Sequence, residues 1–370
     1  LYHLIFIVKI KIIMKVCILG NGLTSLALAK TLVNQGLYVD VFYNEKIKSL
    51  SKSGTIGITK ANIDFFNKNI LNIKKNLWKI NKIDIISHNL KKEKIINFEN
   101  DNEFLFSMVE NDKLYKSLMY SLKKDKLFKL KKINNYKSYF YKNYRLVFNC
   151  DSRNSLSKKF FSNSINKNYK SYAYTTIIEH KKILKNNIAT QIFTKFGPLA
   201  FLPISNKKTS LVYSVKGSIK PDFENLIKKF YSKYSIIKIN EISKFKLKSS
   251  NLRNYRYKNI LAFGDLLHRV HPLAGQGFNM SIRDIKLILE LIEFKMERGL
   301  ELDSSIFYDF EKKIKHKNFI FSKGIDFIYE FFNLESKFNN SVLSKSVQQI
   351  GKNKFINNFF AKVANRGIEI

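Results

Sequence analysis

Cysteine, proline and glycine are scarce in this chain, at two, four and fourteen of 370 residues, and each shortage removes a class of protein. The two cysteines, Cys17 and Cys150, lie in apolar strand-like runs. They supply neither the disulfide framework of a small secreted domain nor the clustered spacing of a metal site. No metal is therefore expected, and a reducing, cytoplasmic setting is. Acidic residues are few as well: 29 Asp and Glu stand against 66 Lys and Arg, a formal net charge of +37. Long apolar runs are missing. The stretch from Leu1 to Leu19 is interrupted by Lys9, Lys11 and Lys15, whereas a membrane-spanning helix needs about 20 mostly apolar residues.

The positive charge raises nucleic acid as a partner, but its distribution argues the other way. Lysine is spread along nearly the whole chain, and eight arginines are outnumbered by 58 lysines, although the planar guanidinium is the better tool for reading phosphates and bases. No nucleic-acid partner is expected. At 45% hydrophobic residues the chain has ample material for a packed core. Met14 directly precedes Lys-Val-Cys-Ile-Leu-Gly, where a first strand would begin, so residues 1–13 read as an upstream extension arising from start-site choice. A secretory signal is the competing reading, and it lacks its small-residue cleavage site.

What glycine and proline there is concentrates in one place. Residues 264–284 hold three glycines and one proline, after the apolar run Ile260 to Phe263 and before the apolar-periodic segment Ile282 to Phe294. That pattern is a strand, a shaped turn and a helix start. Near the N-terminus, Lys15 to Leu19 reads as a buried strand, and Gly20-Asn21-Gly22-Leu23-Thr24-Ser25 opens a helix that Gly36 ends. Tyr38 to Tyr43 is a second strand. This βαβ unit matches a dinucleotide turn, in which glycines let the backbone approach a pyrophosphate that rests on the helix N-terminus. Ser25 stands where a third glycine is usual, and Tyr43 where the ribose acid is expected, with Glu45 two residues on. Strand-like alternation recurs from Ile83 to Phe98 and over residues 170–216, a helix covers Leu114 to Leu122, and the strand Tyr144 to Phe148 ends at Asp151-Ser152. Helical signals dominate after Asp284.

In this order, the turn at Gly20, the acidic turn at Asp151 and the motif at Gly264 resemble flavin-dependent aromatic hydroxylases, most closely the ubiquinone-biosynthesis hydroxylases of that family. The run Phe196-Gly-Pro-Leu-Ala-Phe-Leu-Pro203 adds to the likeness. The resemblance implies an α/β fold: a Rossmann-like FAD-binding domain with an inserted mixed β-sheet substrate domain and a helical C-terminal region. The implied division places FAD-binding segments at 14–78, 103–165 and 255–300, substrate-sheet segments at 79–102 and 166–254, and the helical region at 301–370. The cofactor residues it implies are Gly20, Gly22, Ser25 and Glu45 from the first unit and Asp265 for the ribityl chain. Gly275, Gln276, Gly277, Phe278 and Asn279 would lie against the flavin ring, and Pro272 beside its reactive edge. Phe196, Pro198, Leu199 and Phe201 would line the substrate pocket.

The family chemistry implied is hydroxylation of a phenolic ring, here polyprenylated, through a flavin hydroperoxide, with NAD(P)H as reductant. Peripheral contact with the inner face of a membrane and association with subunits of a biosynthetic complex are expected as partners. The departures at Ser25, Tyr43, Ser152 and Gly54 point to an alternative, a degenerate non-catalytic member of the family acting as a binding or scaffolding subunit of the biosynthetic complex. Ser152 replaces a usual glycine, Leu266-Leu267 replace two alanines, adding bulk beside the cofactor, and Gly54 stands where a basic residue is usual. His268 and His271 read as packed or hydrogen-bonded side chains, and Asp284 as a favourable charge in the first turn of a helix.

Overall fold

Val16, Cys17, Ile18 and Leu19 are all buried, the mark of a strand covered on both faces in a parallel sheet. In the computed structural model, which describes residues 14–44, 54–87, 94–99, 104–133, 143–217, 220–271 and 276–338, Lys15–Leu19 lies inside a six-stranded sheet. The order across it is Arg256–Tyr257, Ile260–Ala262, Leu146–Asn149, Lys15–Leu19, Tyr38–Tyr43 and Phe128–Lys132. Neighbours are parallel except in the Arg256–Tyr257 hairpin. The next strand in the chain lies on one side of Lys15–Leu19 and Leu146–Asn149 on the other. Strand order reverses there, and such a switch point opens a crevice beyond the carboxyl ends of the strands. The upstream extension expected for residues 1–13 lies outside the described residues.

The helix Leu23–Asn34 packs on this sheet and against the helices Asn111–Lys123 and Gln276–Glu297. One carboxylate is buried within the sheet. Asp40, central in Tyr38–Tyr43, accepts hydrogen bonds from Lys131 Nζ at 2.8 Å and Tyr144 Oη at 2.7 Å, which offsets the cost of taking its charge out of water. Burial, reinforced by Asp40, pushes the Tyr144 phenol well above its usual range.

The second layer is a nine-stranded sheet built around the long strand Ser164–His180, which pairs with Lys208–Lys216 on one side and Ser243–Leu252 on the other. It continues through Gly197–Pro203, Ile188–Thr194, Lys82–Ser87 and Lys94–Glu99. Its two faces have different covers. The helix Phe223–Phe230 seals one face over Leu199, Phe201, Leu211 and Tyr213. The other face, with Ile177, Ala189 and Ile204, meets Ile80 and Met108 of a three-stranded sheet. That small sheet joins Thr55–Thr59, Phe106–Glu110 and Trp78–Ile80, segments that the sequence reading divides between nucleotide and substrate domains.

The 34-residue helix Ser305–Phe338 spans both layers. Its first half buries Phe307 and Phe310 against Phe148 and Phe263, and Phe321, Ile325 and Tyr329 pack on Tyr169 and Leu247 of the large sheet. No helix among the described residues is long and apolar enough to cross a membrane.

Gly264 fastens the end of one strand to the first helix. Its φ is +61°, and a Cβ built there would lie 2.9 Å from Thr24 Cγ2. Gly264→Ala should therefore cost about 1–3 kcal/mol from the left-handed backbone alone. In thermal unfolding, Thr24→Ser in the same chain should recover part of the loss by removing the opposing methyl. An unchanged midpoint for Gly264→Ala would refute the contact.

Candidate functional site

Three turns leave three adjacent parallel strands at their carboxyl ends and meet. Gly20 follows Leu19, Cys150-Asp151 follow Asn149, and Phe263-Gly264 follow Ala262. Backbone hydrogen bonds bind them together: Cys150 N–H donates to Leu19 O at 2.9 Å, Phe263 N–H to Asn149 O at 2.9 Å, and Gly20 N–H to Phe42 O at 2.7 Å. Gly20 takes φ +103°, and a Cβ there would come within 3.4 Å of Asp151 Cβ. That backbone conformation favours glycine, while the 3.4 Å approach is ordinary packing contact.

The helix beginning at Leu23 has Gly22 as its cap, with no capping side chain and no acidic residue in its first turn. Helix geometry leaves the first N–H groups without intrahelical partners and a partial positive charge at that end. A Cβ added at Gly22 would meet nothing within 4 Å, so a phosphate can come close to the backbone. Ser25 is buried at the base of this turn, beside Cys150, whose thiol burial pushes up to about 12. Its small side chain fills the position of a third glycine.

Asp265 follows Gly264 in a short 3-10 turn, and its side chain is 69% exposed. It is an open carboxylate, 4.0 Å from Arg269. Gln276 and Gly277 open the helix Gln276–Glu297, and Gly277, like Gly22, has open space at its would-be Cβ. Asn279 is a clamp: its Nδ2 donates to Gly57 O at 2.8 Å and its Oδ1 accepts from Thr59 N at 3.1 Å and Asn62 Nδ2 at 2.9 Å. The start of this helix is thereby tied to the small sheet. Phe278 turns inward onto Phe66, a packing position. Glu45, Pro272 and Gly275 lie outside the described residues.

The residues anticipated for the substrate pocket do not share one face. Side chains alternate along a strand, so Leu199 and Phe201 of Gly197–Pro203 point into the core under Phe223–Phe230. Pro198, Ala200 and Leu202 have the opposite orientation. Leu202 packs with Ile80 and Met108, and Ser210, paired with Leu202 on the next strand, accepts a 2.8 Å hydrogen bond from Thr55. Phe196, in the preceding turn, lines a cavity of about 240 Å³ with Leu226 and Phe230 beside the outer helix.

Other departures from the family pattern resolve in the packing. Ser152 does not take a left-handed conformation, so no glycine is required there. Asp151 Oδ1 accepts from Arg153 N at 2.9 Å, closing the turn on itself. Leu266 and Leu267 are buried in the main core, so their bulk is directed away from the crevice. Gly54 O accepts from Asn111 N at 3.0 Å. Asp284 is not a first-turn charge: it lies well inside the helix, fully buried, with its Oδ2 2.5 Å from His268 Nε2 and its Oδ1 3.2 Å from Arg283. Among the described residues no cluster of side chains is arranged to hold a metal ion.

Sequence reasoning missed the Thr24 contact, the Thr59 and Asn62 partners of Asn279, and an aromatic box around His271. His271 is buried, with its ring edge-on to Tyr169 at 4.8 Å and inclined to Tyr329 at 4.5 Å. Neither ring nitrogen has a hydrogen-bond partner. Burial first, and Lys167 second, lower its pKa from 6.5 to about 3. As pH falls, the unfolded chain takes the proton before the folded chain does. The stability this residue contributes is present above about 6.5 and is lost progressively down to about 3. In thermal melts across that window, His271→Phe should show a shallower decline than the unmodified chain; parallel declines would contradict the burial of a neutral imidazole.

A family model described as FAD binding domain matches residues 222–299. The ubiquinone biosynthesis monooxygenase COQ6 of Schizosaccharomyces pombe is 22% identical over 274 residues, covering 60% of this chain and 57% of that protein. The 3-demethoxyubiquinol 3-hydroxylase of Escherichia coli is 27% identical over 152 residues, 38% of this chain and 39% of that one. The chain thus spans about half the length, or less, of these two curated relatives. Its fold is that of the p-nitrophenol 4-monooxygenase of Pseudomonas putida, with a TM-score of 0.77 at 12% identity over 97% of this chain and 99% of the other.

Proposed function

We propose that the chain is an FAD-dependent monooxygenase that hydroxylates a phenolic ring bearing a polyprenyl tail in ubiquinone biosynthesis, a reading supported by the match of residues 222–299 to an FAD binding domain model and by the curated relatives. The observation that carries the reading is the meeting of three turns at one switch point, with open space at the backbone of Gly22 and, at the start of the helix Gln276–Glu297, of Gly277. Gly20 and Gly22 give the diphosphate access to the N–H groups of Leu23, Thr24 and Ser25. Asp265 accepts hydrogen bonds from the ribityl chain. Gln276 and Gly277 lie along the ring, oriented by the Asn279 clamp. Glu45 is the proposed ribose contact, Gly275 a proposed neighbour of the ring and Pro272 of its reactive edge.

Bound FAD would supply the redox chemistry that activates dioxygen for insertion into an electron-rich ring, with NAD(P)H supplying the electrons. The protein's part is orientation and dryness. The ring substrate is assigned to the face of the large sheet that carries Pro198, Ala200 and Leu202, opposite the face that holds Leu199 and Phe201. Leu202, Ile80 and Met108 exclude water there. The helix starting at Gln276 carries a partial positive charge at its N-terminus, which would favour the negative charge of a reduced flavin held along Gln276 and Gly277. A polyprenyl tail partitions into a bilayer, so the expected setting is the cytoplasmic side of a membrane, among other subunits of the same biosynthesis. The scaffolding alternative is weakened at two of its four motives, since Ser25 fits its buried position and Ser152 needs no glycine backbone; Tyr43 and Gly54 still support it.

Purified chain should carry or take up FAD and oxidise NAD(P)H with a polyprenyl phenol present, yielding a hydroxylated product by mass spectrometry. Chain that cannot be reconstituted with FAD would overturn the reading. Asp265→Ala removes a charge-assisted acceptor worth roughly 1.5–3 kcal/mol, so FAD affinity should fall by one to two orders of magnitude in a fluorescence titration. Equal affinity would remove Asp265 from the site.

A further inference from the structure

The outer face of the helix Ser305–Phe338 has a composition that the flavin site does not account for. Tyr308, Phe319, Ile320 and Phe327 are 52%, 42%, 49% and 71% exposed. At 100° per residue, these four and Lys312, Lys315 and Lys323 fall on one continuous stripe, while Ile314, Phe321 and Ile325 face the core. Between residues 308 and 327 the exposed charged side chains are Lys312, Lys313, Lys315 and Lys323, against which the stripe sets one partly exposed carboxylate, Asp309. Asp309 and Glu311 are only partly exposed, and Glu311 is engaged by Arg256 and Lys315. Beside the stripe runs a groove of about 830 Å³ to which Arg253 and Arg256 add positive charge and Tyr308 and Phe319 add ring surface.

We propose that this stripe is a docking face for the surface of an anionic bilayer. Large apolar side chains interleaved with lysines suit the boundary between headgroups and acyl chains: the rings and Ile320 enter the apolar layer while the lysine stems extend and keep their ammonium groups at the phosphates. Each such cation gains about 1 kcal/mol near an anionic surface. Lys323 already lies over the Phe319 ring at 5.6 Å, so a charge and an apolar group are presented together. A second copy of the chain fits less well, because matching stripes would bring lysines against lysines. A nucleic acid would leave Ile320 without a partner suited to it. The helix is not apolar enough to span, so the contact is peripheral. The inference stands on this surface and not on the flavin reading.

The test is co-sedimentation of the full chain with vesicles of phosphatidylcholine, with and without phosphatidylglycerol, and analytical ultracentrifugation without lipid. The variants are Phe319→Asp/Ile320→Asp/Phe327→Asp and Lys312→Glu/Lys315→Glu, with Leu184→Asp, at an exposed position on the large-sheet side, as control. Binding should require phosphatidylglycerol and weaken about tenfold or more in each multiple variant, while Leu184→Asp binds like the unmodified chain and circular dichroism shows all folded. Equal binding by the triple apolar variant would show charge attraction without a docking face and overturn the proposal. A dimer in solution that the same variant dissociates would overturn it too, assigning the stripe to a second copy.

Discussion

Everything placed at the crevice depends on how closely three backbone turns approach one another at the ends of Lys15–Leu19, Leu146–Asn149 and Ile260–Ala262. Parallel strands about 4.8 Å apart bring their exit turns this close through two glycines: Gly20 supplies a left-handed φ of +103° and Gly264 leaves the space that Thr24 fills. Because Thr24 is in the first turn of the helix, the contact sets where that helix begins, and so where its free N–H groups point. The electrostatic character of the site thus follows from a steric constraint in the fold.

The large sheet is held to this frame by groups that bridge layers. Asn279 ties the helix Gln276–Glu297 to Gly57 and Thr59, Thr55 reaches Ser210, and the helix Ser305–Phe338 packs on both layers. Tyr169 of the large sheet donates to Asp326 of that helix, and Ser171 lies 3.2 Å from Tyr329. His271 is enclosed between the two tyrosines. Its unpaired nitrogens carry a cost that tight ring packing must offset.

The nucleotide unit was legible in the sequence because its signals are local. A continuous apolar strand, a glycine turn and a period near 3.6 gave Lys15–Leu19, Leu23–Asn34 and Tyr38–Tyr43 almost to the residue. The Gly264 motif was legible because glycine is rare elsewhere. The small sheet was not, since Trp78–Ile80 has three residues and forms only by pairing with Phe106–Glu110 far along the chain. The facing of Gly197–Pro203 was also hidden. Alternation separates Leu199 from Ala200 but does not say which side receives the helix Phe223–Phe230. Asp284 misled for a related reason: an acid near a helix start reads as a surface charge, whereas here it is buried beside His268 of the strand His268–Arg269.

A crystal structure of the chain grown with FAD tests the central claim most directly. The account predicts the diphosphate on the N–H groups after Gly22, the ribityl hydroxyls at Asp265 and the ring along Gln276-Gly277. FAD bound elsewhere, or a crevice between the three turns that stays closed to it, would contradict the claim that they form one cofactor site.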